Sequence, residues 1–355
     1  MSWEDRRGAA LAVAAAAGAE LLVCADPANV HWLTGVAAEI ETGPSPFAPP
    51  PLLVLAADAP PLLIAAEGDV ATPAPDIELR TYVGFGNGPL DGPARAQALV
   101  GDAVAGRGAA IDSLLARGLI AGDGARLLDA SDALCAARAV KDAAALAQIR
   151  AAIAVADAGQ ARLRAAAVAG ADELELFAAA RGAMEARAGA RVPLSADLLS
   201  GSRGAAMGGA PSARRVRAGE LVLCDLAPRV GGTWGDSCAT VAVGEPTAAA
   251  RAAHRRVAEA LERTIEAVRP GVPAAELDAL ARAGLDYPHH TGHGIGSAFY
   301  EAPRIVPDAP ERLREGMVLA LEPAAYTDDF GIRLEHVVRV TADGCEVLSA
   351  HALEL

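Results

Sequence analysis

Residues Leu221–Val243 read LVLCDLAPRVGGTWGDSCATVAV. Two apolar runs, Leu221–Leu226 and Thr233–Val243, flank Gly231-Gly232, and a glycine pair at such a junction favours a two-residue hairpin turn. With that turn, Val230 pairs with Thr233 and the register is set for the whole hairpin. Asp225 then falls opposite Cys238, and Asp236 opposite Ala227. Side chains alternate along a strand, so residues 225 and 227 share a face, and Asp225 and Asp236 project from it as diagonal neighbours. Such neighbours lie about 7–8 Å apart at the backbone, close enough to share an ion. One residue more or less in the turn would put the acids on opposite faces.

A second acidic pair follows. Glu322 ends the apolar run Met317-Val318-Leu319-Ala320-Leu321, and Pro323 stops it. Glu335 sits in Ile332-Arg333-Leu334-Glu335-His336-Val337-Val338, across the short loop Ala325–Gly331. Carboxylates on apolar strands are costly unless compensated, and Arg333 is the one base built into these runs. Metal cations are the economical compensation. An imidazole source lies in His289-His290-Thr291-Gly292-His293-Gly294-Ile295-Gly296, where three histidines fall within five positions and the glycines permit close backbone approach. Carboxylates with imidazole suit manganese, cobalt, zinc or iron rather than a thiolate-type zinc site.

The rest of the chain frames this constellation. At 355 residues, two domains are expected. The apolar fraction is 52% but aromatics are 3%, so the core is built from small and branched aliphatic residues. A net charge of −14 argues against nucleic acid and against an anionic membrane surface as partners. The five cysteines are scattered and form no CxxC, which fits a reducing, cytoplasmic compartment. The Ala9–Ala17 run after Arg6 and Arg7 reads as a helix feeding the strand Leu21–Cys24 rather than as a secretion signal, and no stretch of about 20 strongly apolar residues spans a membrane.

Further strands are expected at Leu52–Leu55, Leu62–Ala65 and Ile77–Tyr82, with helices at Arg7–Ala19, Pro93–Ala105 and Asp112–Ala121. Asp26-Pro27-Ala28-Asn29 reads as a turn, Thr42–Pro51 as a Pro-rich loop, and Ser131–Lys141 as a linker. Beyond it, helices are expected at Ala143–Ala169, Ala171–Ala188, Thr247–Val268 and Ala274–Ala283, and strands at Met317–Glu322 and Ile332–Val340.

The order of these elements of chemistry — Asp225, Asp236 eleven residues on, His289-x-x-Gly292-His293, Glu322-Pro323 and Arg333-x-Glu335 — resembles the pita-bread metallopeptidase family of Xaa-Pro dipeptidases, aminopeptidase P, methionine aminopeptidases and creatinase. Asp26–Gly35 is similar to the N-terminal domain signature of the dipeptidase and creatinase branch, and Ala137–Lys141 to the start of the catalytic domain. The resemblance implies an α+β protein: a smaller α/β creatinase-type domain over 1–137, then a pita-bread catalytic domain over 138–355. It implies two divalent metal ions, manganese foremost. Asp225 would bind one, Asp236 and Glu335 both, and His293 and Glu322 the other. Water activated between them would cleave a peptide bond. Glu322 would carry its proton to the leaving nitrogen, His289 would stabilise the tetrahedral intermediate, and Arg304 or Arg333 would grip a substrate carboxylate. A homodimer acting on small peptides is expected.

Three positions depart from the proline-specific pattern. Tyr300 stands where a second histidine is usual, seven residues after His293. Gly208 stands where the Gly-rich loop Ser200–Gly209 usually carries a histidine, and Cys238-Ala239-Thr240 replaces Thr-Arg-Thr. All three lie on the substrate side, and they open a second reading: hydrolysis of a non-peptide C–N bond in a small molecule, as in creatinase or ectoine hydrolase. Tyr300 can still donate a hydrogen bond there.

Overall fold

All four side chains of the strand Leu21–Cys24 (β1) are buried, as an unbroken apolar run in the middle of a sheet covered on both faces requires. The structure, a computed structural model, describes residues 2–38, 45, 47–70, 73–120 and 126–355. They divide into two units, Met1–Arg138 and Ala139–Leu355.

In the first unit β1 pairs antiparallel with Leu52–Ala56 (β2), which pairs with Leu62–Ala66 (β3). Glu78–Tyr82 (β4) lies parallel to β3. On the other side Ala109–Ile111 (β5) and Leu127–Asp129 (β6) add in parallel, giving the order β4-β3-β2-β1-β5-β6. Alternation sorts the core. Leu21 and Val23 pack with Ala96 and Val100 of Gly92–Val104 (α3). Leu22 and Cys24 pack with Ala10 and Ala14 of Trp3–Ala16 (α1).

Two expectations for this unit are corrected. Asp26–Asn29 is no turn: Asp26 caps the helix Pro27–Thr34 (α2), its side chain accepting from the Ala28 N–H. The same Asp-Pro pair suits a helix start because Pro fits its first turn. The linker expected at Ser131–Lys141 holds the helix Ser131–Arg138 (α5), anchored by buried Leu134; Leu114–Ile120 (α4) is the shorter helix before it. Residues 42–44 and 46 of the expected loop, and Ala121 at the end of the expected helix Asp112–Ala121, lie outside the described residues.

The second unit opens with the helices Ala143–Ala166 (α6) and Glu173–Ala188 (α7), the latter started by an Asp172–Glu175 capping box. The strands Leu194–Ser200 (β7), Leu221–Val230 (β8), Thr233–Trp234 (β9) and Cys238–Ala242 (β10) follow. The hairpin has the register read from its turn: Val230 faces Thr233 and Asp225 faces Cys238. The expected continuous strand Thr233–Val243 is broken, however, at Gly235–Ser237. There the chain presses on α6 so closely that a Cβ at Gly235 would come 2.5 Å from the Ala152 carbonyl carbon.

Helices Ala248–Ala267 (α8) and Ala274–Arg282 (α9) lead to a five-stranded sheet of Gly292–Gly294 (β11), Glu301–Ile305 (β12), Val318–Leu321 (β13), His336–Val340 (β16) and Cys345–Val347 (β17), ordered β12-β11-β13-β16-β17. Ala324–Tyr326 (β14) and Gly331–Arg333 (β15) pair separately. The expected strand Ile332–Val340 therefore also breaks, at Leu334-Glu335. One carboxylate ties down the Gly-rich segment after β7. Fully buried Glu173 accepts hydrogen bonds from the backbone and hydroxyl of both Ser200 and Ser212, and from Arg203. Although burial opposes the charge, these donors hold its carboxyl below the ordinary value. Among the described residues no helix is long and apolar enough to cross a membrane.

Candidate metal centre

Two strand interruptions, the middle of one strand and the end of another aim carboxylates at one place. Asp225 projects from β8, Asp236 from the break before β10, and Glu335 from the break before β16. One oxygen of each lies within 4.8 Å of the others. The backbone at Glu335 is fixed by its N–H donating to the Cys238 carbonyl at 2.9 Å. Facing them, His290, His293 on β11 and Glu322 just after β13 bring one ligand atom each within 4.8 Å. His293 joins the groups, its Nε2 3.5 Å from Asp236 Oδ2 and 3.9 Å from Glu322 Oε1. Its Nδ1 faces the Gly294 carbonyl at 2.9 Å; a proton there leaves the Nε2 lone pair for a ligand. The glycines on either side are needed: a Cβ at Gly292 would lie 2.1 Å from the Ala320 carbonyl oxygen, and one at Gly294 2.3 Å from that of Ala302.

The electrostatics mark a centre built for added positive charge. Burial, then repulsion by Asp236 and Asp225, pushes the Glu335 carboxyl well above its ordinary value. Burial also raises Asp225, against the pull of Arg333, and Asp236, against its contact with His293. Glu322 behaves oppositely. Burial opposes its charge, but the hydrogen bond from His290 and the Arg333 guanidinium take it down to about 2. Glu335 Oε1 is buried with no hydrogen-bond partner, an arrangement that proteins rarely leave uncompensated. A divalent cation among these oxygens would supply that partner and favour all the ionised forms. The residues present therefore fit metal ions.

The five expected ligands all come together, and a sixth group, His290, joins them with its Nε2 2.9 Å from Glu322 Oε1. Sequence reading had singled out the histidine cluster but cast only its first and last members. The cavity in front, about 370 Å³, is lined by every member of the two groups except Glu335, together with Asp197, His289, Phe299, Tyr300, Arg304 and Arg333. Its size suits a small ligand. His289 keeps no free N–H: Nδ1 meets the His290 carbonyl at 2.7 Å and Nε2 the Tyr326 hydroxyl at 2.9 Å. Burial lowers its pKa, so the ring stays neutral. The Tyr300 ring, more than half exposed, meets the His293 ring edge to face with centroids 4.7 Å apart, and desolvation around its hydroxyl raises that group to about 12.

The two arginines differ. Arg333 is buried and engaged on every side. It donates to Asp225 at 2.6 Å, Asp197 at 3.3 Å, the Met207 carbonyl at 3.1 Å, the Tyr326 hydroxyl at 3.4 Å and Cys238 Sγ at 3.3 Å. Arg304 is exposed, with a 3.4 Å contact to His290 Nδ1. Asp197 and Tyr326 escaped sequence reading because the partners that give them meaning, Arg333 and His289, lie 136 and 37 residues away.

Known proteins share this architecture. The dipeptidase PepE of Mycobacterium ulcerans superposes with a TM-score of 0.82 at 28% identity, covering 99% of this chain and 97% of that one. The prolidase of Pyrococcus horikoshii superposes at 0.84 with 22% identity, covering 99% of each. These full-length matches identify the fold as the two-domain pita-bread type. In sequence, the Xaa-Pro dipeptidase of Pyrococcus furiosus is 36% identical over 166 residues, 44% of this chain and 48% of that protein. The chain thus spans about half the length of the curated relatives it matches. Residues 147–342 match metallopeptidase family M24. That segment runs from within α6 to just past β16 and carries every member of both ligand groups. The chain belongs to metallopeptidase family M24.

Proposed function

We propose that this chain hydrolyses the peptide bond of small peptides, in the manner of an Xaa-Pro dipeptidase or aminopeptidase, at two divalent metal ions. The observation that carries the reading is the pair of facing ligand groups, five of whose six members line one small cavity. Asp225, Asp236 and Glu335 on one side, and His293 and Glu322 on the other, would hold the ions. His290 hydrogen-bonds Glu322 from within the same ligand group. Oxygen-rich ligands with imidazole favour manganese, with cobalt, zinc or iron as alternatives. The bound ions would supply Lewis acidity and lower the pKa of a water molecule.

The chain's own groups do the rest. Glu322, held ionised, accepts a proton from the attacking water and delivers it to the leaving nitrogen. Tyr300, held protonated, donates to the substrate oxygen that gains charge. The role expected of His289 as a direct donor needs a free N–H, so we assign it instead to orienting the Tyr326 hydroxyl. Arg304 grips the substrate carboxylate, since Arg333 is consumed in bracing Asp225. We further assign 1–137 as a creatinase- and prolidase-like domain and 138–355 as the catalytic one. The protein would be a cytoplasmic homodimer; the five free cysteines support a reducing compartment.

The test is metal content with turnover: purified protein analysed for manganese, cobalt, zinc and iron, then assayed on Xaa-Pro and ordinary dipeptides. Two ions per chain with Xaa-Pro cleavage is the expected result. Metal without peptide cleavage would favour the second reading, a small-molecule C–N hydrolase, for which the altered pocket at Gly208 and Tyr300 speaks. A protein that takes up no metal would end the metal-dependent mechanism itself.

A further inference from the structure

One acid in the cavity belongs to neither ligand group. Asp197 lies on β7 directly opposite Asp225 on β8, and like charges placed so repel. Its carboxylate stands where a side chain at position 208 would go: a Cβ built on Gly208 would lie 2.7 Å from Asp197 Oδ2 and 3.0 Å from Oδ1. The bare glycine and the acid thus form one arrangement, in which a carboxylate from the neighbouring strand fills the wall of the pocket. The carboxylate is held in place. Oδ1 accepts from the Gly209 N–H at 2.8 Å, and Oδ2 meets Arg333 Nη2 at 3.3 Å. That second contact is long for a charge-assisted bond, because the same nitrogen makes its short bond, 2.6 Å, to Asp225. About a third of the Asp197 side chain remains exposed (35%), and it lines the cavity.

A carboxylate with one short bond, fixed in a small cavity beside a hydrolytic centre, is a receptor for a cation. We propose that Asp197 is a specificity-determining residue that binds a positively charged ammonium group of the substrate. The inference rests on the hydrolase reading of the cavity and names the substrate class within it: peptides or small amides bearing a free amine. The bond from Gly209 does not by itself require an acid, since an asparagine oxygen would accept it equally well. The second oxygen does accept from Arg333, but at 3.3 Å from a nitrogen already committed to Asp225, which leaves the Asp197 charge only partly compensated.

The experiment measures binding rather than turnover. Metal-loaded protein is titrated calorimetrically with three ketomethylene isosteres of one dipeptide, which cannot be cleaved and add no charge. One has a free amino terminus, one is N-acetylated, and one is N-acetylated but carries a lysyl side chain. The free amine should bind about 10- to 100-fold more tightly than the acetylated form, as expected for a charge-assisted hydrogen bond. In Asp197→Asn, with unchanged metal content, the two should bind within about threefold of each other. Recovery of affinity by the lysyl ligand would assign the ammonium to a side chain instead of the chain terminus. Equal binding of free and acetylated forms by the unaltered protein, no binding of the free amine, or a preference retained in Asp197→Asn would overturn the proposal. Dipeptide turnover, assayed beside it, decides the hydrolase reading separately. A preference for the free amine without any peptide cleavage would keep Asp197's role and remove the peptidase.

Discussion

At Glu322 two demands meet: a ligand oxygen for a cation and an ionised base for the proton. Its hydrogen bond from His290 and the nearby Arg333 meet the second by holding the carboxyl at about 2. Replacing it with glutamine should lower kcat by roughly 10²–10⁴ at matched metal occupancy, read in a steady-state assay on the best dipeptide. His290→Ala should act differently, weakening metal affinity by about 10- to 100-fold as expected for a residue that orients a ligand; competition with a chelator measures it. If the alanine variant holds metal as tightly as the parent, His290 has no part in the centre. At this scale the acids on apolar strands were legible, because an unpaired carboxylate in such a run conflicts with everything around it. Asp197 was not, since its meaning depends on Arg333, 136 residues away, and on the missing side chain of Gly208.

Elements place the ligands by being interrupted. The sequence pattern predicted long strands through Asp236 and Glu335, and both break at the acid, turning the carboxylate out of the ladder toward the centre. Hydrophobic alternation could not reveal the breaks. The first depends on α6 passing within van der Waals distance of Gly235, a contact between segments distant in sequence. Gly235→Ala should therefore cost about 1–3 kcal/mol, the usual range for forcing atoms into a packed site, and should also loosen metal binding through Asp236. Urea melts of metal-loaded and metal-free protein would separate the two effects; equal stability with the parent would refute the close approach. The hairpin register, by contrast, followed from the Gly231-Gly232 turn alone. The helix at Pro27–Thr34 was missed because Asp-Pro starts turns and helices alike, and only buried Leu33 and Trp32 on its far side decide between them.

For the whole molecule, stability and pH are linked through the acids of the centre. In metal-free protein Asp225, Asp236 and Glu335 have folded pKa values raised above their unfolded ones. Above the ordinary carboxyl range the folded state then binds more protons than the unfolded, and stability falls as pH rises toward the raised folded values. Metal reverses this by favouring the ionised forms, and its uptake expels protons. The thermal midpoint gained on adding manganese should grow from pH 5 to pH 8 in differential scanning fluorimetry; a gain independent of pH would mean that these carboxyls are not the ligands. Glu173 works in the other sense. Its depressed carboxyl stabilises the fold above the ordinary glutamate value, and that contribution is lost in stronger acid. The two-domain plan was legible from length and motif order, while the mixed order of the first sheet was not, because nothing in a strand's own residues names its neighbours. The buried Glu173 also works as a clasp. Since one carboxylate grips Ser200, Arg203 and Ser212 together, the stretch between them is closed into a ring whose ends cannot drift apart. Loosening that clasp would reach the metal centre indirectly, because the same ring presents the Met207 carbonyl to Arg333 and the Gly209 N–H to Asp197.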